Sequence, residues 1–446
     1  MSDLLQDLFT VLRFPSISTD SQHAPDVRHN AEWLESKLNA VGLSADLHET
    51  PGHPIVTAKN KHQVGRPNVL LYGHYDVQPV DPLDLWDTPP FEPTIIEGKI
   101  FARGATDNKG QHMAHLKAIE QLLTEEGELP INLTVLLEGE EEIGSPNLVP
   151  FLEAHKEQLP CDVIVVSDTG MVAPGVGTMG YGLRGISCCE IELTGPSGDQ
   201  HSGCIGGAIA NPATEIARLV SSLHAPDGRI QIEGFYDDVE PLEQWERDMW
   251  IDVVGMDEVS MLELTGAPAL HGESGYSSAE RLWARPTAEV NGIGGGYQGE
   301  GSKTVLPASA FAKLSFRLVP NQDPDKIYEL VKAHFEKHTP QHISLKVKKG
   351  HGGHPYRSNP HDSFGKVAQE ALQSVFKNDP VLIREGGSIP IIGDFRRILG
   401  ADTLMLGLAL PDAQIHAPNE NFPVENFEKG VELGKTLIKK LGTLSS

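Results

Sequence analysis

The sequence predicts an α/β fold: a mixed, mostly parallel sheet covered by helices and interrupted by an inserted α+β domain. Three observations carry this. The chain has 446 residues, more than one core usually gathers, so two domains are expected. Over residues 1–170 short β-rich runs alternate with helical patterns, the order that builds a sheet through helical crossovers. After Ser358 the alternation resumes, which returns the chain to the sheet it left and makes the middle an insertion. The expected boundaries are 1–185 and 357–446 for the sheet domain and 186–356 for the insert.

Taken in order, the strands of the sheet domain fall at Val69–Tyr72, Ile100–Arg103, Asn132–Leu137 and Val163–Val166, all rich in β-branched and apolar residues. After Gly110, Met113, Leu116, Ile119 and Leu123 share one face of a helix that stops at Gly127. Leu148–His155 reads as a shorter helix. From GISCCEIELTG the pattern becomes strand, Gly-rich turn and helix. Later TVLPASAFAKLSFRLVPNQDPDKIYELVKAHFEKH gives two strand-like pieces and another helix. These make the α+β insert. Between them, residues 234–301 carry most of the tryptophans and the run NGIGGGYQGEGS, which no periodicity explains, and are read as an extension of the insert. SFGKVAQEALQSVF, PVLIREGGSIPII and DTLMLGLAL then complete the sheet domain, which ends in a helix over Val424–Leu441.

Composition narrows the function. With 36 basic and 62 acidic side chains the net charge is −26, which disfavours nucleic acid or an anionic membrane as partner. No uncharged apolar run approaches a membrane span. The first residues carry acids and helically spaced leucines rather than a basic leader, so a cytoplasmic protein is expected. Cys161, Cys188, Cys189 and Cys204 have no metal-ribbon or disulfide-framework spacing and read as reduced thiols.

The polar residues gather where the strands stop. LLYGHYDVQP delivers His74 and Asp76, a pair that alone would be an ordinary loop feature. IFARGATDNKG then gives Asp107, TVLLEGEEEIGS a cluster of glutamates, DVIVVSDTG gives Asp168, and TLMLGLALPDAQIHAPNE gives His416. In an open α/β sheet such residues converge outside the carboxyl ends of the strands. Two histidines among that many carboxylates need cations between them. The mixture of imidazole and carboxylate suits zinc, with manganese or cobalt as alternatives, and a carboxylate can bridge two such ions about 3.5–4 Å apart.

Nearly end to end, the motifs GHYDVQP, GATDNKGQ, LEGEEEIGS, SDTG, HSG at His201–Gly203, SKTVLP, SFRLVPN, REGGSIP and H-x-x-N-E at His416–Glu420 resemble, in order and spacing, one family. It is the co-catalytic di-zinc exopeptidases and deacylases, which include carnosinase-type cytosolic dipeptidases, aminoacylase, acetylornithine deacetylase and the G-type carboxypeptidases. GHYDVQP with EGEEEIGS favours the dipeptidase branch. The resemblance implies two divalent metal ions, with Asp107 bridging them, His74 and Asp168 on one, and Glu142 and His416 on the other. It implies Glu141 as general base, the Glu-Glu-x-Gly-Ser ending leaving Glu138 and Glu140 in supporting places. Asp76 would orient the His74 ring, and a cis peptide would follow Asp107. His201 would stabilise the oxyanion. Arg317 would take the substrate carboxylate with Thr304 and Ser388, while Gly386 and Gly387 let backbone approach the substrate. The insert would be a lid and dimerisation domain, giving a homodimer in which His201 acts in trans. The activity implied is hydrolysis of dipeptides or short peptides by an activated water. An N-acyl amino acid deacylase with the same metals and a catalytically inactive metal-binding scaffold are the rival readings; intact Glu141, Asp107 and the other ligands speak against the scaffold.

Overall fold

The computed structural model describes residues 4–387 and 389–444. The chain divides into two compact units: Met1–Tyr181, Ser358–Ile383 and Asp394–Ser446 form the first, Gly182–Arg357 with Arg384–Gly393 the second.

At the centre of the first unit, the strands Asn132–Glu138, Asn68–His74, Val163–Val166 and Asp402–Gly407 lie side by side and run parallel. Ile55–Lys59 and Ser44–His48 extend one side antiparallel, and residues 178–180 pair antiparallel on the other. The sheet is therefore mixed around a parallel centre. Every residue of Val163–Val166 and of Asn132–Glu138 is buried, which fits strands covered by helices on both faces and explains their unbroken apolar runs. Lys109–Glu126 and Val424–Leu441 pack on each other, and Ser363–Phe376 packs on the latter. Their approach is close: a Cβ on Gly430 would lie 2.9 Å from that of Ala114, and one on Gly434 2.8 Å from that of Ala118. Lys109–Glu126 ends as its sequence predicts, on Gly127 in the left-handed conformation.

One expected strand belongs elsewhere. Lys99–Phe101 pairs with Thr94–Ile96 and Asn421–Pro423 in a separate small antiparallel sheet, so Asp107 reaches the site from the loop that follows that sheet rather than from a strand of the central one.

The second unit holds a four-stranded antiparallel sheet in the order Thr287–Gly295, Ser309–Leu318, Gly185–Thr194, Ser344–Gly353. Gly185–Thr194 and Ser309–Leu318 alternate in burial along their lengths. On the inner face Ile191, Leu193, Leu314 and Phe316 form one core with Ile216, Leu219, Ile327, Val331 and Phe335, which come from the helices Pro212–Ser221 and Pro324–His338. The segment 234–301 adds three short helices, Gln244–Trp250, Glu258–Thr265 and Ser278–Ala284. The first part of its glycine run, through Gly295, is the end of the edge strand, with a register shift between Val290 and Gly292. The Phe311 ring lies so close to Gly294 that a Cβ there would meet it at 2.6 Å, and Gly292, Gly294 and Gly295 together interrupt the alternation of this strand.

Among the described residues, no helix is long and apolar enough to cross a membrane.

Candidate metal centre

The parallel register delivers the first ligands. His74 closes its strand opposite Glu138, and Tyr72 lies opposite Val166, two residues before Asp168. Both strands therefore release their polar residues at one edge. Asp107 and His416 arrive from loops. The outcome is two groups that share a member, His74–Asp107–Asp168 and Asp107–Glu142–His416, each with its ligand atoms within 4.8 Å of one another. Asp107 Oδ1 lies 3.1 Å from His74 Nε2 and Asp107 Oδ2 2.8 Å from His416 Nε2. His74 Nε2 is 3.7 Å from Asp168 Oδ2, and His416 Nε2 is 3.3 Å from Glu142 Oε2. The peptide Asp107–Asn108 is cis, and the Asn108 amide donates to Asp168 Oδ1 at 2.8 Å.

The electrostatics suit cations. Burial opposes charge on His74, but Asp168 and Asp107 raise its pKa well above the imidazole range. Hydrogen bonds to Asp107 and Glu142 push His416 up to about 10. Asp107 is held below the usual carboxylate range by the two histidines despite its burial. Glu142 Oε1 is buried with no hydrogen-bond partner among the described residues. Protons here stand where metal charge would. Oxygen and imidazole donors in two triads with a shared carboxylate fit a pair of divalent ions.

Glu141 differs from its neighbours. It opens the short turn Glu141–Ile143, and its side chain forms no hydrogen bond with any described residue. Burial, together with Asp168, Asp107 and Glu142 and against the pull of His74, drives its pKa well above the carboxylate range. Such a group is suited to carrying a proton. The other two glutamates are engaged elsewhere. Glu138 accepts from Tyr72 and Ser145 at 2.7 and 2.8 Å and is pushed up to about 8 by burial. Glu140 accepts from the backbone of His53 at 2.9 Å and from Asn147.

Two features go beyond the sequence reading: Asp76, expected beside the His74 ring, also holds the glutamate turn, and Glu420 holds the loop of Asp107. Asp76 faces His74 Nδ1 both through its backbone oxygen at 3.1 Å and through Oδ1 at 3.3 Å. Its carboxylate also accepts the backbone N–H groups of Glu141 and Glu142, at 3.3 and 3.1 Å, so one side chain ties the histidine to the glutamate turn. Glu420 is completely buried and accepts from Arg103 Nη1 and the backbone of Gly104, Thr106 and Asp107 at 2.8, 2.9, 2.8 and 3.0 Å. It fixes the loop that presents Asp107. Only the motif H-x-x-N-E hinted at it.

The remaining expected residues, Ser388 aside, lie in the second unit. His201 is exposed on a short ribbon that pairs it with Val305, and Ser202 donates to the Thr304 carbonyl at 3.0 Å. His201 Nδ1 accepts from Gly203 N–H, so in the neutral ring Nε2 carries the proton and is the donor. Arg317 lines a cavity of about 610 Å³. The Gly387 carbonyl accepts from the Arg184 backbone at 3.2 Å. Ser388 lies outside the described residues.

Residues 70–440 match peptidase family M20/M25/M40. The Cys-Gly metallodipeptidase dug1 of Schizosaccharomyces pombe is 32% identical, the alignment covering 98% of this chain and 95% of that protein. The beta-Ala-His dipeptidase of Mus musculus is 31% identical over 97% and 92%. Among solved structures, the M20 family metallo-carboxypeptidase Sso-CP2 from Sulfolobus solfataricus superposes with a TM-score of 0.87 at 35% identity, over 100% of both chains. With this family match spanning the strand that ends in His74 and the loop that carries His416, the chain belongs to the M20/M25/M40 metallopeptidases.

Proposed function

We propose that the chain is a metallodipeptidase with two divalent ions, zinc by preference, held by His74 and Asp168 on one side, by Glu142 and His416 on the other, and shared by Asp107. The observation that carries the reading is the pair of triads meeting at Asp107. When bound, such a metal pair lowers the pKa of water and polarises a carbonyl. Glu141 takes the proton of the attacking water and returns it to the departing amine, a role that its raised pKa and uncommitted carboxyl support. Asp76 holds His74 and the glutamate turn in register. His201 donates Nε2–H to the developing oxyanion. The Arg317 guanidinium takes the free carboxylate of the substrate, with Thr304, Ser388 and the Gly387 backbone beside it.

The dipeptidase activities of these relatives support dipeptides over N-acyl amino acids, and the likeness to a metallo-carboxypeptidase favours some activity on longer peptides. We place the protein in the cytoplasm, a reading that its four free thiols support. A homodimer through the second unit is supported by the edge strand Thr287–Gly295, which among the described residues pairs on one side only, and by exposed Val290, Ile293 and Phe311 beside it. Antiparallel pairing of that strand with its copy is compatible with a two-fold axis. The test is hydrolysis of matched dipeptides, tripeptides and N-acetyl amino acids by the metal-loaded protein: dipeptide turnover exceeding both others supports the reading, and preference for N-acetyl amino acids replaces it with a deacylase.

A further inference from the structure

Arg317 has a neighbour that the motif resemblance does not mention. Ile186 lies directly opposite Arg317 across the sheet, and directly opposite residues share a face. Arg184, two residues before Ile186, falls on that face too, away from the apolar core, and both arginines line the same cavity. Arg184 is 8% exposed. Its Nε donates to the Gly386 carbonyl at 2.8 Å, while its Nη1 is buried with no hydrogen-bond partner among the described residues.

The other charges of the cavity leave that donor unanswered. Arg285 is engaged by both oxygens of Glu273 at 2.8 Å, and Arg281 donates to the Glu273 carbonyl at 2.9 Å. Glu289 attracts Arg184 through space, yet burial and the Arg317 charge dominate and lower its pKa to about 10, so it stays cationic at neutral pH. A buried guanidinium with an open donor, facing a second guanidinium, is completed by an anion that accepts from both.

We propose that Arg184 and Arg317 form a two-guanidinium carboxylate site, with Arg184 the second arginine of the substrate's anchor. This rests on Arg317 as the carboxylate anchor in the reading above. It adds a specificity-determining residue and a link: through its Nε and backbone N–H, Arg184 joins the bound carboxylate to the loop at Glu385–Gly387.

The test uses metal-loaded full-length wild type, R184Q, R184K and R317A, each checked for melting temperature and metal content. R184Q keeps an amide donor for Gly386 but loses the charge. KM and kcat are measured on one dipeptide with a free C-terminus and on its C-terminal amide. The site predicts that R184Q raises KM for the free acid at least 10-fold and for the amide less than 3-fold, with R184K intermediate. If R317A abolishes the preference for the free acid while R184Q affects acid and amide equally, Arg317 anchors alone and the proposal falls. If wild type cleaves no dipeptide, the reading of function fails. Equilibrium binding of free glycine then decides the site separately: at least 10-fold weaker binding to R184Q supports it, and equal binding overturns it.

Discussion

Replacing Glu420 by Gln tests how the loop carrying Asp107 is held. The four groups that approach this carboxylate, Arg103 Nη1 and the N–H groups of Gly104, Thr106 and Asp107, are all donors. Burial pushes the Glu420 pKa up and Asp107 adds to it, while Arg103 opposes. A protonated carboxyl would have to donate into this ring of donors, so the ionised form is the one that fits. Gln puts an NH2 against at least one of them and leaves Arg103, itself 1% exposed, without its counter-charge. Breaking a buried pair from one side costs about 3–5 kcal/mol, a large part of a total stability of about 5–15 kcal/mol. At about 2–4 °C per kcal/mol for a unit of this size, melting should fall by about 6–20 °C. Calorimetry of the metal-free protein reads this without a contribution from bound metal. The double variant E420M/R103M should lose less than the two single variants together, because it leaves no orphaned charge. A drop below about 2 °C for E420Q, with metal affinity unchanged, would refute the argument that this carboxylate organises the loop.

Three further outcomes are expected. Glu141→Gln should retain both metals and lose about 10²–10⁴-fold in turnover, measured with metal analysis on the same preparation; lost metal would make Glu141 a ligand instead. In the metal-free protein His74 and His416 are raised above the imidazole value of 6.5, His416 to about 10. Their stabilising charge is therefore fully present below about pH 6.5 and lost as pH rises through the folded values. Metal uptake at pH 7 must displace these protons, so titration calorimetry in buffers of different ionisation enthalpy should show net proton release, and none would contradict the assigned ligands. Finally, if His201 serves the partner's site, reassorted mixtures of Glu141→Ala and His201→Ala dimers should recover about a quarter of wild-type activity, whereas an exchanged mixture that stays inactive places His201 in its own subunit's site.

What the sequence could show followed from local pattern. Val163–Val166 and Asn132–Glu138 are buried along their whole length, so their apolar runs stand out, and the polar residues just beyond them, Asp168 and the glutamates, mark the strand ends. The helices Leu148–His155 and Val424–Leu441 have the expected limits because apolar spacing sets them. Partners were not legible. The run at Ile100 reads as a strand, but nothing local says that it pairs with Asn421–Pro423. Glu420 looks like one more loop acid until the fold brings three N–H groups and Arg103 around it. The double role of Asp76 depends on the turn at Glu141 arriving beside it. The edge strand hid its alternation because glycines interrupt it, one of them, Gly294, where the Phe311 ring lies. Arg184 carries no motif; its unanswered donor exists only in the folded cavity.

The most direct test of the central claim is a zinc titration of metal-stripped protein that follows hydrolysis of a dipeptide and bound zinc together. Two ions sharing Asp107 predict activity that rises steeply as the second ion per chain fills and is saturated at about two, with Asp107→Asn binding neither ion tightly. Dipeptide hydrolysis that is complete with one zinc per chain, or absent with two bound, would contradict it.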